Sequence, residues 1–69
     1  MKIENISVGT RIRWSSAAGI LTGTVSKIYL GKNAANGLIP WIVTKIDTGG
    51  SSNFAGTDSY LKMLKVETI

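Results

Sequence analysis

The chain has 69 residues, with eight Lys and Arg against four Asp and Glu, giving a formal net charge of +4. That is room for one domain, residues 1–69, and a domain of this size buries only about 60% of the surface its unfolded chain exposes. Cysteine and histidine are both absent, which excludes disulfides, thiolate metal sites, thiol nucleophiles and the commonest general base.

Gly9-Thr10-Arg11-Ile12-Arg13-Trp14 alternates strictly, with Thr10, Ile12 and Trp14 on one face and Arg11 and Arg13 on the other. Period-two alternation predicts a half-buried strand and places Trp14 in the core beside Ile12. The segment before it reads as a lead-in that packs Ile6 and Val8. Ser15 to Gly19 is a turn cluster of small side chains.

Ile20 to Leu30 predicts a long strand rich in β-branched residues. Leu21, Val25 and Tyr29 lie on one face and Ile20, Thr22, Thr24 and Ile28 on the other. Neither face is cleanly polar, so a register shift at a bulge is expected, with Gly23 as the marker of a bulge or sharp bend. Gly31 to Gly37 reads as a loop, its Asn36-Gly37 pair a strong turn signal. Pro40 to Asp47 predicts a third strand with proline at its start, where a missing N–H is tolerated. Thr48 to Ser52 is the next turn, followed by a short strand around Asn53–Ala55.

The tail mixes helix-like spacing (Tyr60, Leu61, Leu64) with strand formers. Asp58 is placed to cap one helical turn near Ser59–Lys62. Too few residues remain for a full helix, so a closing strand is expected over Met63–Glu67. Short strands of even spacing with glycine turns predict an all-β fold, a small barrel of about five strands with one short helical turn before the last.

Two stretches carry a family likeness. Gly9 to Trp14, a short turn, then Gly19-Ile20-Leu21-Thr22-Gly23-Thr24-Val25-Ser26-Lys27-Ile28 resembles the opening of SH3-like barrels of the KOW and Tudor type. Tyr60-Leu61-Lys62-Met63-Leu64-Lys65-Val66-Glu67 resembles their ending, a tight turn feeding a last strand. The resemblance covers about two thirds of the chain and implies the barrel. KOW-like domains contact RNA or ribosomal and transcription proteins, and Tudor-like domains contact methylated side chains or nucleic acid; the fold alone does not choose. The layout from Val8 to Val25 is also similar to the type II dihydrofolate reductases, SH3-like barrels that form a tetramer around an active pore. Their functional Val-Gln-Ile-Tyr run has no counterpart in Ser51–Ala55 or Ser59–Leu61, so that activity is not expected.

The candidate site residues are cationic or aromatic. Arg11 and Arg13 share a strand face about 6.5–7 Å apart, close to the separation of successive phosphates, and so form a candidate backbone clamp. Lys27, Lys32 and Lys45 would extend a basic patch over the second and third strands, while sequence leaves Lys62 and Lys65 on either side. Tyr29 and Trp41 flank the 31–39 region and are candidates to stack on bases or hold a cation. Gly31-Lys32 is not a phosphate loop, because Ser26 and Asn33 stand where the pattern needs glycine and Ser or Thr. The acids Glu4, Asp47, Asp58 and Glu67 are too dispersed for a metal cluster. No catalytic residues, metal or cofactor are expected.

No run of about 18 apolar residues offers a membrane span, and no apolar leader precedes the first strand, so a cytoplasmic protein without membrane contact is expected. The charge favours an anionic partner. A non-enzymatic module contacting nucleic acid through a basic strand face is therefore the leading expectation. The alternative is a protein-interaction or self-assembling accessory module, of phage or mobile-element type. Eighteen Ile, Leu and Val residues are many for so small a barrel, and a homo-oligomer would cover some of them.

Overall fold

Alternation along the first strand is preserved in space: Ile12 and Trp14 are buried while Arg11 and Arg13 are exposed. The computed structural model describes residues 3–33 and 37–69. A 3₁₀ turn at Ile3–Asn5 precedes β1 (Arg11–Ser16), β2 (Gly19–Asn33), β3 (Gly37–Ile46), β4 (Ser51–Ala55), α1 (Asp58–Met63) and β5 (Glu67–Thr68). The strands form one antiparallel sheet in the order β4-β3-β2-β1-β5. This is the expected all-β class with a short helix before the last strand, and the strand order is compatible with an SH3-like fold.

The sheet bends around one core. Ile12 and Trp14 of β1, Val25 of β2, Ile42 of β3 and Phe54 of β4 meet Ile6, Leu61 and Val66 in a single cluster. Trp14 and Phe54 are tilted against each other with ring centroids 5.8 Å apart, a geometry that suits the opposed edge and face charges of aromatic rings. Ile6 packs as expected, but Val8 is 64% exposed. It belongs to a turn in which Ser7 and Thr10 bond each other through backbone and hydroxyl groups, and its side chain is carried outward.

The register shift in β2 falls at Ser26, between Val25 and Lys27, rather than at Gly23. The Ser26 hydroxyl donates to the Val43 carbonyl at 3.2 Å. The extra residue exchanges the faces: Leu21, Gly23 and Val25 point inward before it, whereas Ile28 points inward and Lys27 and Tyr29 outward after it. Gly23 has a different reason. A β-carbon there would stand 2.4 Å from the Lys45 carbonyl oxygen and 2.9 Å from Thr44 Cγ2, so it is a close-approach glycine rather than a bulge.

β2 and β3 are longer than expected and take up much of the predicted 31–37 loop, with Asn33 paired to Gly37. Asn36 of the expected turn lies outside the described residues. Pro40 sits inside β3, not at its start. Its carbonyl accepts from the Gly56 N–H at 2.8 Å, just beyond the last β3–β4 pair, Trp41 with Ala55. Its nitrogen faces that same side, so the β2–β3 ladder loses no bond to it.

The tail differs most. The helical turn spans Asp58–Met63, with Thr57 rather than Asp58 as N-cap and no side-chain cap bond. β5 holds only Glu67–Thr68, so Met63 to Val66 are not strand. Instead the helix closes with a Schellman pattern: Val66 N–H donates to the Leu61 carbonyl and Lys65 N–H to that of Lys62. Lys65 takes the left-handed position, φ 55°, and buried Val66 packs where this motif places its apolar contact, near Leu61.

Thr44 is fully buried, and its Oγ1 has no hydrogen-bond partner among the described residues. A lone buried hydroxyl costs about 1–3 kcal/mol, and valine keeps the branched shape. Thr44→Val is therefore expected to raise stability by about 1 kcal/mol, seen as a higher urea midpoint at unchanged slope. A lower midpoint would show that the hydroxyl has a partner in solution.

Candidate functional site

The outward face of the sheet collects six of the seven residues singled out in the sequence. Arg11 and Arg13 come from β1, Lys27 and Tyr29 from β2 beyond the bulge, and Trp41 and Lys45 from β3. The register sets Lys27 opposite Val43 and Tyr29 opposite Trp41, so all share a face with the arginines. Lys45 is diagonal to Lys27, roughly 7–8 Å away in such a ladder. Lys32 is the exception: paired with Leu38, it belongs to the opposite face of the projecting β2–β3 ribbon.

The arginines are engaged within the molecule. Arg11 Nη1 and Nη2 donate to Asp47 Oδ1 and Oδ2 at 2.5 and 2.7 Å, and Thr22 Oγ1 donates to Asp47 Oδ2 at 2.7 Å. Arg13 Nη2 donates to Glu67 Oε2 at 2.5 Å across the β1–β5 pair. The Arg11 fork and the Thr22 hydroxyl hold the Asp47 carboxyl down to about 2 from an ordinary 3.8, and Asp47 in turn raises Arg11. Among the described residues no salt bridge involves Lys27 or Lys45, so the charge of this face that stands uncompensated lies on β2 and β3.

That pairing has a pH signature. A carboxylate whose pKa is lower in the folded state contributes stability above its unfolded value and loses it as pH falls through the folded one. The Asp47 contribution is thus present near neutral pH and fades between about 4 and about 2. Asp47→Asn is expected to lower the urea midpoint near neutral pH and to converge on the parent near pH 2. A gap that persists there would mean that Asp47 acts through something other than its charge.

Around Tyr29 and Trp41 the face is aromatic and small-residue in character. Lys27 Nζ stands 5.4 Å from the centre of the Tyr29 ring, and Asn53 Nδ2 donates to Tyr29 Oη at 3.1 Å. Gly31 lies two residues beyond Tyr29. A β-carbon on it would be 2.6 Å from Trp41 Cδ1, 2.8 Å from Nε1 and 3.1 Å from Tyr29 Cε2. The indole therefore lies over bare backbone, an aromatic covering a strand glycine. Ile39 and Ala55 are buried but stand outside the main core cluster; the first is two residues from Trp41 and the second its cross-strand partner. Asn53 and Gly31 were not legible as site residues, although a glycine amid strand formers beside two aromatics is the signal that would have pointed to Gly31.

Two surface hollows are small. One of about 230 Å³ is lined by Thr24, Lys45, Ile46 and Asp47. The other, about 370 Å³, is lined by Arg13, Trp14, Ser15, Ile20, Lys65 and Glu67. No group of three or more acidic, His or Cys side chains is placed to hold a metal among the described residues. No helix among them is long and apolar enough to cross a membrane.

The chain matches no family model, and comparison with the curated proteins and with the solved structures gives no match.

Proposed function

We propose that the protein is a non-enzymatic module that binds nucleic acid across the outward face of β2 and β3. The observation that carries this reading is the grouping of Lys27 and Lys45, without salt-bridge partners among the described residues, beside Tyr29 and Trp41 on one exposed sheet face. Ammonium groups on a flat face suit phosphates, which supply most of the sequence-independent affinity for nucleic acid. Arg11 and Arg13 are reserve contacts: each must exchange a carboxylate for a phosphate, which an SH3-like barrel could do without refolding because both pairs are exposed. The positive net charge favours encounter with a polyanion.

Titrating labelled oligonucleotides at several salt concentrations tests the reading. Two lysine contacts give log K against log salt a slope of about −1.4 on single strands and about −1.8 on duplex, and each recruited arginine adds about −0.7 to −0.9. Absence of binding at low salt would overturn it.

The rival, a module that binds protein or itself, draws on one observation. Leu30 and Leu38 are 68% and 64% exposed on the projecting ribbon, on the face opposite Trp41. Light scattering distinguishes the two, since self-assembly makes the mass depend on concentration.

A further inference from the structure

Resting on that reading, we infer that the ligand is single-stranded and that Trp41 is the surface on which an unpaired base stacks. The two aromatics of the face are not equivalent. Tyr29 has an ammonium over its ring and its hydroxyl bonded to Asn53, so its position is occupied and fixed. Trp41 is half-buried, with its five-membered ring lying over Gly31. Ile39 and Ala55 are its buried neighbours along and across the strands. An indole whose Cδ1 and Nε1 are closed against backbone is held as a rigid platform, and its exposed part can stack on any base at little ordering cost. Lys27 and Lys45 lie one and two rungs further along the same face and are placed to hold the adjoining phosphates.

Duplex fits this arrangement poorly. Paired bases keep their faces inside the stack and offer only edges in the grooves. A flat aromatic on a sheet face reaches neither groove. Among the described residues the projecting β2–β3 ribbon is the longest element of a shape suited to a major groove, the helix α1 having only six residues. Yet its described far end carries a single cation, Lys32, beside exposed Leu30 and Leu38, which is the wrong chemistry for a phosphate-walled cleft.

The experiment uses the whole chain with a short oligothymidylate and a mixed-sequence duplex of equal length, following tryptophan emission and labelled-oligonucleotide anisotropy. The single strand is expected to bind more tightly and to quench emission, with Trp14, 2% exposed, contributing a constant background. Trp41→Ala is expected to weaken single-strand binding by about 5- to 100-fold with an unchanged salt slope, whereas Trp41→Phe keeps much of the affinity and guards against a folding defect. Equal or tighter duplex binding, or an unaltered single-strand affinity in a folded Trp41→Ala, would overturn the stacking inference while leaving nucleic-acid binding standing. Failure of the parent protein to bind either probe at low salt would overturn both.

Discussion

Trp14→Ala is expected to remove most of the stability of the domain. Trp14 is nearly fully buried, packs on Phe54 and joins β1 to the cluster that includes Leu61 and Val66. Truncating a buried tryptophan costs about 3–5 kcal/mol through lost apolar burial and the cavity left behind. At about 0.05–0.15 kcal/mol per residue, a domain of 69 residues has about 3–10 kcal/mol in total. No disulfide offsets the loss. The variant is expected to show a urea transition shifted close to zero denaturant, or no transition at all, by circular dichroism. A loss below about 1 kcal/mol would mean that the indole is peripheral to the core.

The second large effect concerns binding. Lys27→Ala with Lys45→Ala is expected to flatten the salt dependence by about 1.4 on single strands, while leaving the unfolding free energy from urea titration within about 0.5 kcal/mol of the parent. Arg11→Ala is expected to behave in the opposite way, weakening the fold because it strips the partner from Asp47 and changing the slope little. Asp47→Asn adds an internal check. By releasing Arg11 it should steepen the slope by about 0.7 on single strands, so one substitution lowers stability and strengthens binding. If the arginine variants flatten the slope and the lysine pair does not, the contact face is centred on β1 instead.

The strand face of Arg11 and Arg13 was legible because β1 is half-buried from end to end, and such a strand writes its two faces directly into the residue order. β2 was legible only as a mixture. Its side chains alternate in direction within each half, but Ile20 and Leu30 are apolar and exposed, the register slips at Ser26, and a serine within a strand carries no local mark of a bulge. Gly23, the more conspicuous residue, answers to Lys45, a neighbour brought close only by folding. The end of the chain failed for a related reason: Leu61 and Val66 are both buried yet five residues apart, a spacing that neither the helix nor the strand period puts on one face, and the left-handed turn at Lys65 that brings them together has no mark in the residue order. The lysines and aromatics of the site could be named from composition. Their grouping could not, nor could the capture of Arg11 by a carboxylate 36 residues away and of Arg13 by one 54 residues away. These partners moved the centre of the proposed contact face from β1 to β2 and β3.

The bulge at Ser26 gives this small protein an unusual tolerance to one frame-preserving gene change. Deleting that single codon would leave Val25 and Lys27 adjacent and still opposite the neighbouring residues Thr44 and Val43, so the ladder would become regular and every other side chain would keep its face. A regular ladder that kept Ser26 would instead turn Lys27 and Tyr29 toward the interior and Ile28 toward water. An exchange at Ser26 costs only one hydroxyl bond. Relatives of this chain should accordingly accept both exchange and loss of the residue at position 26 while keeping Lys27 and Tyr29 outward and Ile28 inward.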